Sequence, residues 1–161
     1  MAEASVRIVT DGSIELSPEA VRQGFITVVP CLVRARRKEW QSNGQMPLAL
    51  LRQEIGRVSG VHLIPPDYSD FLQTYRQLAD SSVISIHAAA ALGEPARAAR
   101  LARNLLPLKA DVTLFEALTI DAGVAFLVEA AAQAAQHGCD AKTVKLMLQR
   151  IQDEALRTYI V

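Results

Sequence analysis

Two rhythms of apolar and polar positions alternate along this chain, one of period two and one of period three to four. Val6-Arg7-Ile8-Val9 is a short β-rich run that ends at a turn signal, Thr10-Asp11-Gly12-Ser13. Ser17-Pro18-Glu19 predicts a helix start: serine caps free amides, proline suits the first helical position, and the acid suits the dipole. Gly24 ends that helix. Phe25 to Val33 reads as a second strand. Its Pro30 offers no N–H to a ladder and so belongs at a bulge or an edge. A helix is expected over Pro47–Val58, where Leu48, Leu51, Ile55 and Val58 recur at three- and four-residue steps. Val61 to Pro66, with its paired prolines, is expected to be extended or a loop. A helix then starts near Asp67, with Phe71, Leu72, Tyr75 and Leu78 on one face.

The same alternation continues to the end. Val83-Ile84-Ser85-Ile86 is a third strand, Pro95 to about Leu106 a helix, and Val112 to Phe115 a fourth strand. Ile120 to Gln136 is a long apolar helix, and Asp140 caps a last one carrying Val144, Leu148 and Ile151. Tyr159-Ile160-Val161 is β-like with no evident pairing partner. Strands alternating with helices predict an α/β fold: a mainly parallel sheet of four strands or more, with helices on both faces. Such sheets bind ligands beyond the carboxyl ends of their strands. Three loops therefore matter most: Thr10–Ser13, His87–Gly93 and Glu116–Gly123.

The chain has 161 residues, room for one domain at roughly 100–200 residues each. Half of them are hydrophobic, which argues against disorder. Seventeen basic residues balance 17 acidic ones, which argues against a nucleic-acid partner. The local basic groups, Arg34 to Lys38 and Arg97, Arg100 and Arg103, read as solvated faces. The N-terminal residues lack a basic segment followed by a long apolar run, and no stretch approaches a membrane span of about 20 apolar residues. The expectation is a cytoplasmic protein without membrane insertion. Cys31 and Cys139 have no framework spacing and are expected as free thiols.

Candidate chemistry is sparse. Asp11 lies at the expected ligand edge, but an acid there commonly caps its own turn. Of three histidines, His62 falls in a loop, His137 at a helix end, and His87 at the end of the third strand. They do not cluster as zinc ligands do, so no metal is expected. Glycines at phosphate-loop offsets are missing, and Glu94 follows Gly93, so no nucleotide cofactor is expected. An enzyme would have to use Asp11 and His87, and no complete nucleophile or acid–base set accompanies them in sequence.

Several segments together resemble the DegV family. Ile8-Val9-Thr10-Asp11-Gly12-Ser13-Ile14-Glu15-Leu16-Ser17-Pro18-Glu19 is similar to that family's I-V-T-D-S-S-A-D-L-P-P-E opening. Gly24 to Pro30 resembles G-I-T-V-V-P, Val83 to His87 matches V-I-S-I-H, and Gly123 to Ala131 resembles G-L-G-L-L-V-L-E-A-A. The resemblance implies a DegV N-terminal α/β domain, with the family's second domain absent. Members bind a fatty acid between their two domains, and some are acyl-carrying subunits of bacterial fatty acid kinases.

The resemblance also implies where an acyl carboxylate would sit, and there this chain departs from the pattern. The family's T-S-Q-P loop aligns with Leu63-Ile64-Pro65-Pro66, and its S-S-G-L-S-G-T loop with Ala89 to Pro95. Leu63 and Ala90 thus stand where hydroxyls are expected. Two lost hydrogen bonds to a charged group could cost about 3–6 kcal/mol. Thr10, Asp11, Ser13 and Thr119 are retained as ligand-binding candidates, and Leu63, His87, Ala90 and Leu92 are expected to line a cleft. The expected function is a non-catalytic interaction or regulatory domain with a degenerate lipid site, as a homodimer or with a protein partner. The alternative is a binder of fatty acid or another apolar small molecule that lacks the hydroxyl clamp.

Overall fold

The computed structural model describes residues 5–35, 38–43 and 61–154. Their first strand is β1 (Val6–Asp11), where apolar side chains alternate between two buried faces of a sheet. Ser17 ends the loop that follows: its hydroxyl accepts the Ala20 N–H, and helix α1 (Pro18–Arg22) starts with proline in its first turn. Gly24 takes a φ of +78°, a left-handed turn open to glycine at little cost, and releases the chain into β2 (Ile26–Val29).

The single strand expected over Phe25–Val33 is two strands in two different sheets. The chain leaves β2 at Pro30 and enters β3 (Cys31–Ala35), which pairs antiparallel with β4 (Lys38–Ser42) and β5 (Val61–Ile64). A residue without an N–H suits the break between ladders. β5 also corrects the loop reading of His62, which lies on this strand opposite Arg34. The expected helix over Pro47–Val58 and the β-like Tyr159-Ile160-Val161 lie outside the described residues.

Beyond β5, Asp67 caps α2 (Tyr68–Gln77) by accepting the Ser69 and Asp70 N–H groups, while Asp70 accepts the Asp67 N–H in return. Then follow β6 (Ser82–His87), α3 (Glu94–Asn104), β7 (Val112–Glu116), α4 (Ala122–Gln136) and α5 (Ala141–Glu154). Asp140 accepts the Thr143 N–H at the start of α5.

Strands β2-β1-β6-β7, in that order, make a four-stranded all-parallel sheet, as the alternation predicts. On one face Ile8, Ile26, Ile84 and Ile86 pack with Ala20 of α1, Leu127, Val128 and Ala131 of α4, and Leu148 of α5. On the other, Val9, Val29, Val83 and Val112 pack with Phe71 and Tyr75 of α2 and with Ala99 and Ala102 of α3. β1 runs on toward β2 and β6 toward β7, in opposite directions across the sheet. The carboxyl ends of β1 and β6 therefore flank a topological switch point, where open α/β sheets form their ligand crevices.

Candidate functional site

Asp11 ends β1 and His87 ends β6, on the sheet face that meets α2. Their side chains meet across the switch point, with His87 Nδ1 and Asp11 Oδ2 at 2.7 Å and both nearly fully buried. The contact is one link in a longer chain. Tyr75 donates to Ser85 Oγ at 2.9 Å, and Ser85 Oγ lies 2.7 Å from His87 Nε2. At the far end, Asp11 Oδ1 accepts both the backbone N–H and the hydroxyl of Ser13. Phe71 packs edge-on against the His87 ring, with centroids 5.1 Å apart.

For a neutral His87 ring, donor counting gives one proton order. Tyr75 donates to Ser85, so the Ser85 hydrogen needs an acceptor, and His87 Nε2 supplies one when the ring is neutral. Its hydrogen then sits on Nδ1 and points at the Asp11 carboxylate. Burial pushes the Asp11 carboxyl up, but the hydrogen bond and electrostatic attraction of the His87 ring and the two Ser13 bonds outweigh it. The group is held below the usual carboxylate range. Burial also pushes the Tyr75 phenol up, only partly offset by its bond to Ser85.

Ser13 carries this buried chain to the surface. It borders a cleft of about 450 Å³ beyond the carboxyl edge of the parallel sheet. Ile14 and Asp11 complete the β1 side, and Leu63 and Pro65 come from β5 and the residues after it. Ala88, Leu92, Gly93, Pro95 and Ala96 form the β6–α3 wall, and Ile120 and Asp121 the β7–α4 wall. Leu63 and Leu92 are each 49% exposed and Ile120 is 48% exposed, so the mouth is apolar and uncovered. The N-termini of α3 and α4 open on the same space, and the residues that begin them, Gly93 and Asp121, make no side-chain capping bond. Leu118 and Asp121, in the β7–α4 loop, hold φ values of 40° and 52°, a strained setting that non-glycine residues adopt mainly where a site over-determines it. Gly123 lets α4 settle on that loop, because a Cβ there would fall 2.4 Å from Thr119 Oγ1.

The candidate residues separate into three groups. Asp11, Ser13, Leu63 and Leu92 come together at the cleft. His87 lies one layer behind it, reaching the space only through Asp11 and Ser13. Ala90 stands aside from the cleft wall, with its N–H donated to Glu116 Oε2 at 3.1 Å. Thr10 and Thr119 are buried, and the Thr10 hydroxyl has no hydrogen-bond partner among the described residues. Sequence reasoning did not single out Ser85, Tyr75, Ile120 or Asp121. No group of three or more His, Cys, Asp or Glu side chains is placed to hold a metal among the described residues. Nor is any described helix long and apolar enough to cross a membrane.

The family model described as "Uncharacterised protein, DegV family" matches residues 5–161. The chain belongs to the DegV family. A DegV domain-containing protein of Streptococcus pyogenes is 27% identical over 160 residues, covering 93% of this chain and 54% of that protein. A DegV domain-containing protein of Deinococcus radiodurans is 27% identical over 157 residues, covering 94% and 54% respectively. The chain thus spans about half the length of the curated relatives it matches. Among solved structures, a fatty-acid-binding DegV family protein from Thermus thermophilus superposes with a TM-score of 0.77 at 22% identity, covering 92% of this chain and 54% of the other. The Streptococcus pneumoniae fatty acid kinase B3 protein, loaded with linoleic acid, gives 0.76 at 14% identity, with the same 92% and 54% coverage. At these identities the likeness establishes the shared DegV fold.

Proposed function

We propose that this DegV domain binds a single-chain lipid, a fatty acid or a close relative, along the cleft at the carboxyl edge of its parallel sheet. The observation that carries the reading is the cleft itself. Leu63, Leu92 and Ile120 stand half exposed around a space of about 450 Å³, beside a polar end made by Ser13 and Asp11. An acyl chain would cover those leucines, and burying apolar surface is worth about 25 cal/mol per Å². The fatty acids in the Thermus thermophilus and Streptococcus pneumoniae proteins of the same fold support the ligand class. Leu63 and Ala90 cannot donate to a carboxylate. The start of α4 offers backbone N–H groups and a positive dipole end in their place, whereas α3 opens on the acid Glu94 and on Pro95, which has no N–H. The head group therefore lies toward the start of α4, and the Asp11 and Asp121 carboxylates in the same wall make binding weaker than with a hydroxyl clamp.

Catalysis has no part in this reading. Ser85, His87 and Asp11 lie in a serine–histidine–aspartate order, but Ser85 is wholly buried and its oxygen already accepts from Tyr75. Ser85 cannot reach a substrate. Organic extraction of the purified protein followed by mass spectrometry, with thermal shifts on added fatty acids, tests the proposal. Stoichiometric lipid and a rise in Tm are expected; neither appearing would overturn it. A second reading, an interaction or regulatory domain, draws on the same uncovered mouth, where Leu118 is 67% exposed. Light scattering across a concentration series distinguishes it: self-association that lipid does not abolish supports a protein interface.

A further inference from the structure

The cleft at the carboxyl edge of the parallel sheet is poor in free hydrogen-bond donors. Ser13 carries the one hydroxyl in its wall among the described residues. That hydroxyl and the Ser13 N–H both donate to Asp11 Oδ1, so what Ser13 has left is an oxygen that accepts. The backbone of the wall is spent in the same way. The Ala90 N–H goes to Glu116 Oε2, the Leu92 N–H to Ala89 O at 2.8 Å, and the Gly123 N–H to Ile120 O at 3.1 Å. Pro65 and Pro95 have no N–H to offer. The other leading N–H groups of α4 have no partner within the helix and remain as donors.

Acceptors and negative charge are plentiful on the same walls. Asp121 lines the cleft, is exposed, and makes no side-chain capping bond. Asp11 lies deeper, its oxygens committed to Ser13 and His87. Glu94 stands between the lining residues Gly93 and Pro95. No Lys, Arg or His lines the cleft among the described residues. The cations near the β6–α3 wall are held by acids: Arg97 Nη1 lies 3.5 Å from Glu94 Oε1, and Arg100 pairs with Glu116. A fatty acid anion brings oxygens that only accept, and a charge of the same sign as that of Asp121.

We propose that the cleft selects an uncharged single-chain lipid with a hydroxyl head, a long-chain alcohol or a monoacylglycerol, over the fatty acid anion of the same length; this rests on the lipid reading of the cleft given above. A hydroxyl both donates and accepts. Its oxygen can take an N–H from the start of α4, and its hydrogen can go to the Asp121 carboxylate or to Ser13 Oγ. A carboxylate can use only the first of these bonds. An ammonium head can use only the second, and it would face the positive end of the α4 dipole. The apolar mouth of Leu63, Leu92 and Ile120 serves all three chains equally, so the head group decides between them.

Titration calorimetry of the delipidated protein at pH 8, with dodecanol, monolauroylglycerol, lauric acid and dodecylamine, tests the proposal. Dodecanol or monolauroylglycerol should bind at least about tenfold more tightly than laurate, the tighter of the two naming the source. Asp121→Asn removes the charge, keeps an oxygen acceptor and suits the positive φ, and should tighten laurate about fivefold relative to dodecanol. Laurate or dodecylamine binding as tightly as both hydroxyl lipids overturns the proposal and leaves the lipid reading standing. So does a preference for dodecanol over laurate that Asp121→Asn leaves unchanged. Binding of none of the four overturns the lipid reading and the proposal with it.

Discussion

Replacing Asp11 by asparagine changes one atom's chemistry at the switch point and should be felt along the whole buried chain. The asparagine oxygen can still accept from Ser13, though without the charge that strengthens those two bonds. Its amide hydrogens then face His87 Nδ1, so the ring must move its proton to Nε2. Nε2 would donate to Ser85 Oγ, which Tyr75 already supplies, and the Ser85 hydrogen would lose its acceptor. One orphaned buried hydrogen and two weakened bonds sum to about 2–4 kcal/mol. The effect must also depend on pH with a defined sign. Asp11 has a folded-state pKa below its unfolded value, so its contribution is present in full above the unfolded value and is lost as pH falls through the folded one. Urea unfolding followed by far-ultraviolet circular dichroism at pH 7 and on the acid side of about pH 4 measures both. The gap between parent and Asp11→Asn should be about 2–4 kcal/mol at neutrality and should shrink in acid. A gap that is negligible at pH 7, or that persists unchanged in acid, refutes the proton order assigned here.

Three further outcomes follow from neighbouring contacts. Gly12→Ser would bring the chain closer to the family's opening motif, yet a Cβ at Gly12 would fall 1.8 Å from Ser42 O and 2.8 Å from Cys31 N, both backbone; a loss of about 3 kcal/mol or more is expected by thermal unfolding. Burial and the nearby Asp11 charge push the Cys31 thiol up to about 12, so a thiol reagent at pH 8 should modify half-buried Cys139 and reach Cys31 only after denaturation. Leu63→Thr puts a hydroxyl on the cleft wall and should tighten fatty-acid binding about tenfold by calorimetry, with little change for the corresponding fatty alcohol; equal gains for both would deny a carboxylate contact.

The parallel sheet was readable from the sequence because its strands are buried on both faces and bounded by turn and capping residues, as at Asp67 and Asp140. The antiparallel sheet was not, because its strands wear a different pattern. Arg34 to Lys38 looked like a solvated basic run, whereas Arg34 lies on β3 opposite Glu39 of β4 and pairs with it at 2.6 Å. Arg34 is the exposed member of a strand whose Cys31 and Val33 are buried. Alternation across a hairpin was hidden by counting charges. Pro30 carries the opposite lesson: it is unsuited to a ladder, but a ladder can end as well as bulge, and here the chain changes sheets.

The site divides along the same line. The local sequence points Asp11 to its own turn, and that contact exists, with the Ser13 N–H at 3.1 Å. Nothing in a window of a few residues could add His87, which is 76 positions away and is brought near only because β1 and β6 are adjacent parallel strands. Ser85 was within reach of a sequence argument, since it stands two residues before His87 and a strand's period of two puts both on one face. Tyr75 falls on its helix's apolar face, where a phenol packs like phenylalanine until its hydroxyl needs a partner. Once the order β2-β1-β6-β7 is known, register brings Ser85 and His87 to the face of Asp11, and the packing of α2 on that face adds Tyr75. The chain from Tyr75 to Ser13 links the α2 face of the sheet to the polar end of the cleft. A substitution at buried Tyr75 or Ser85 should therefore reach a ligand at Ser13 without touching it, through the proton on His87.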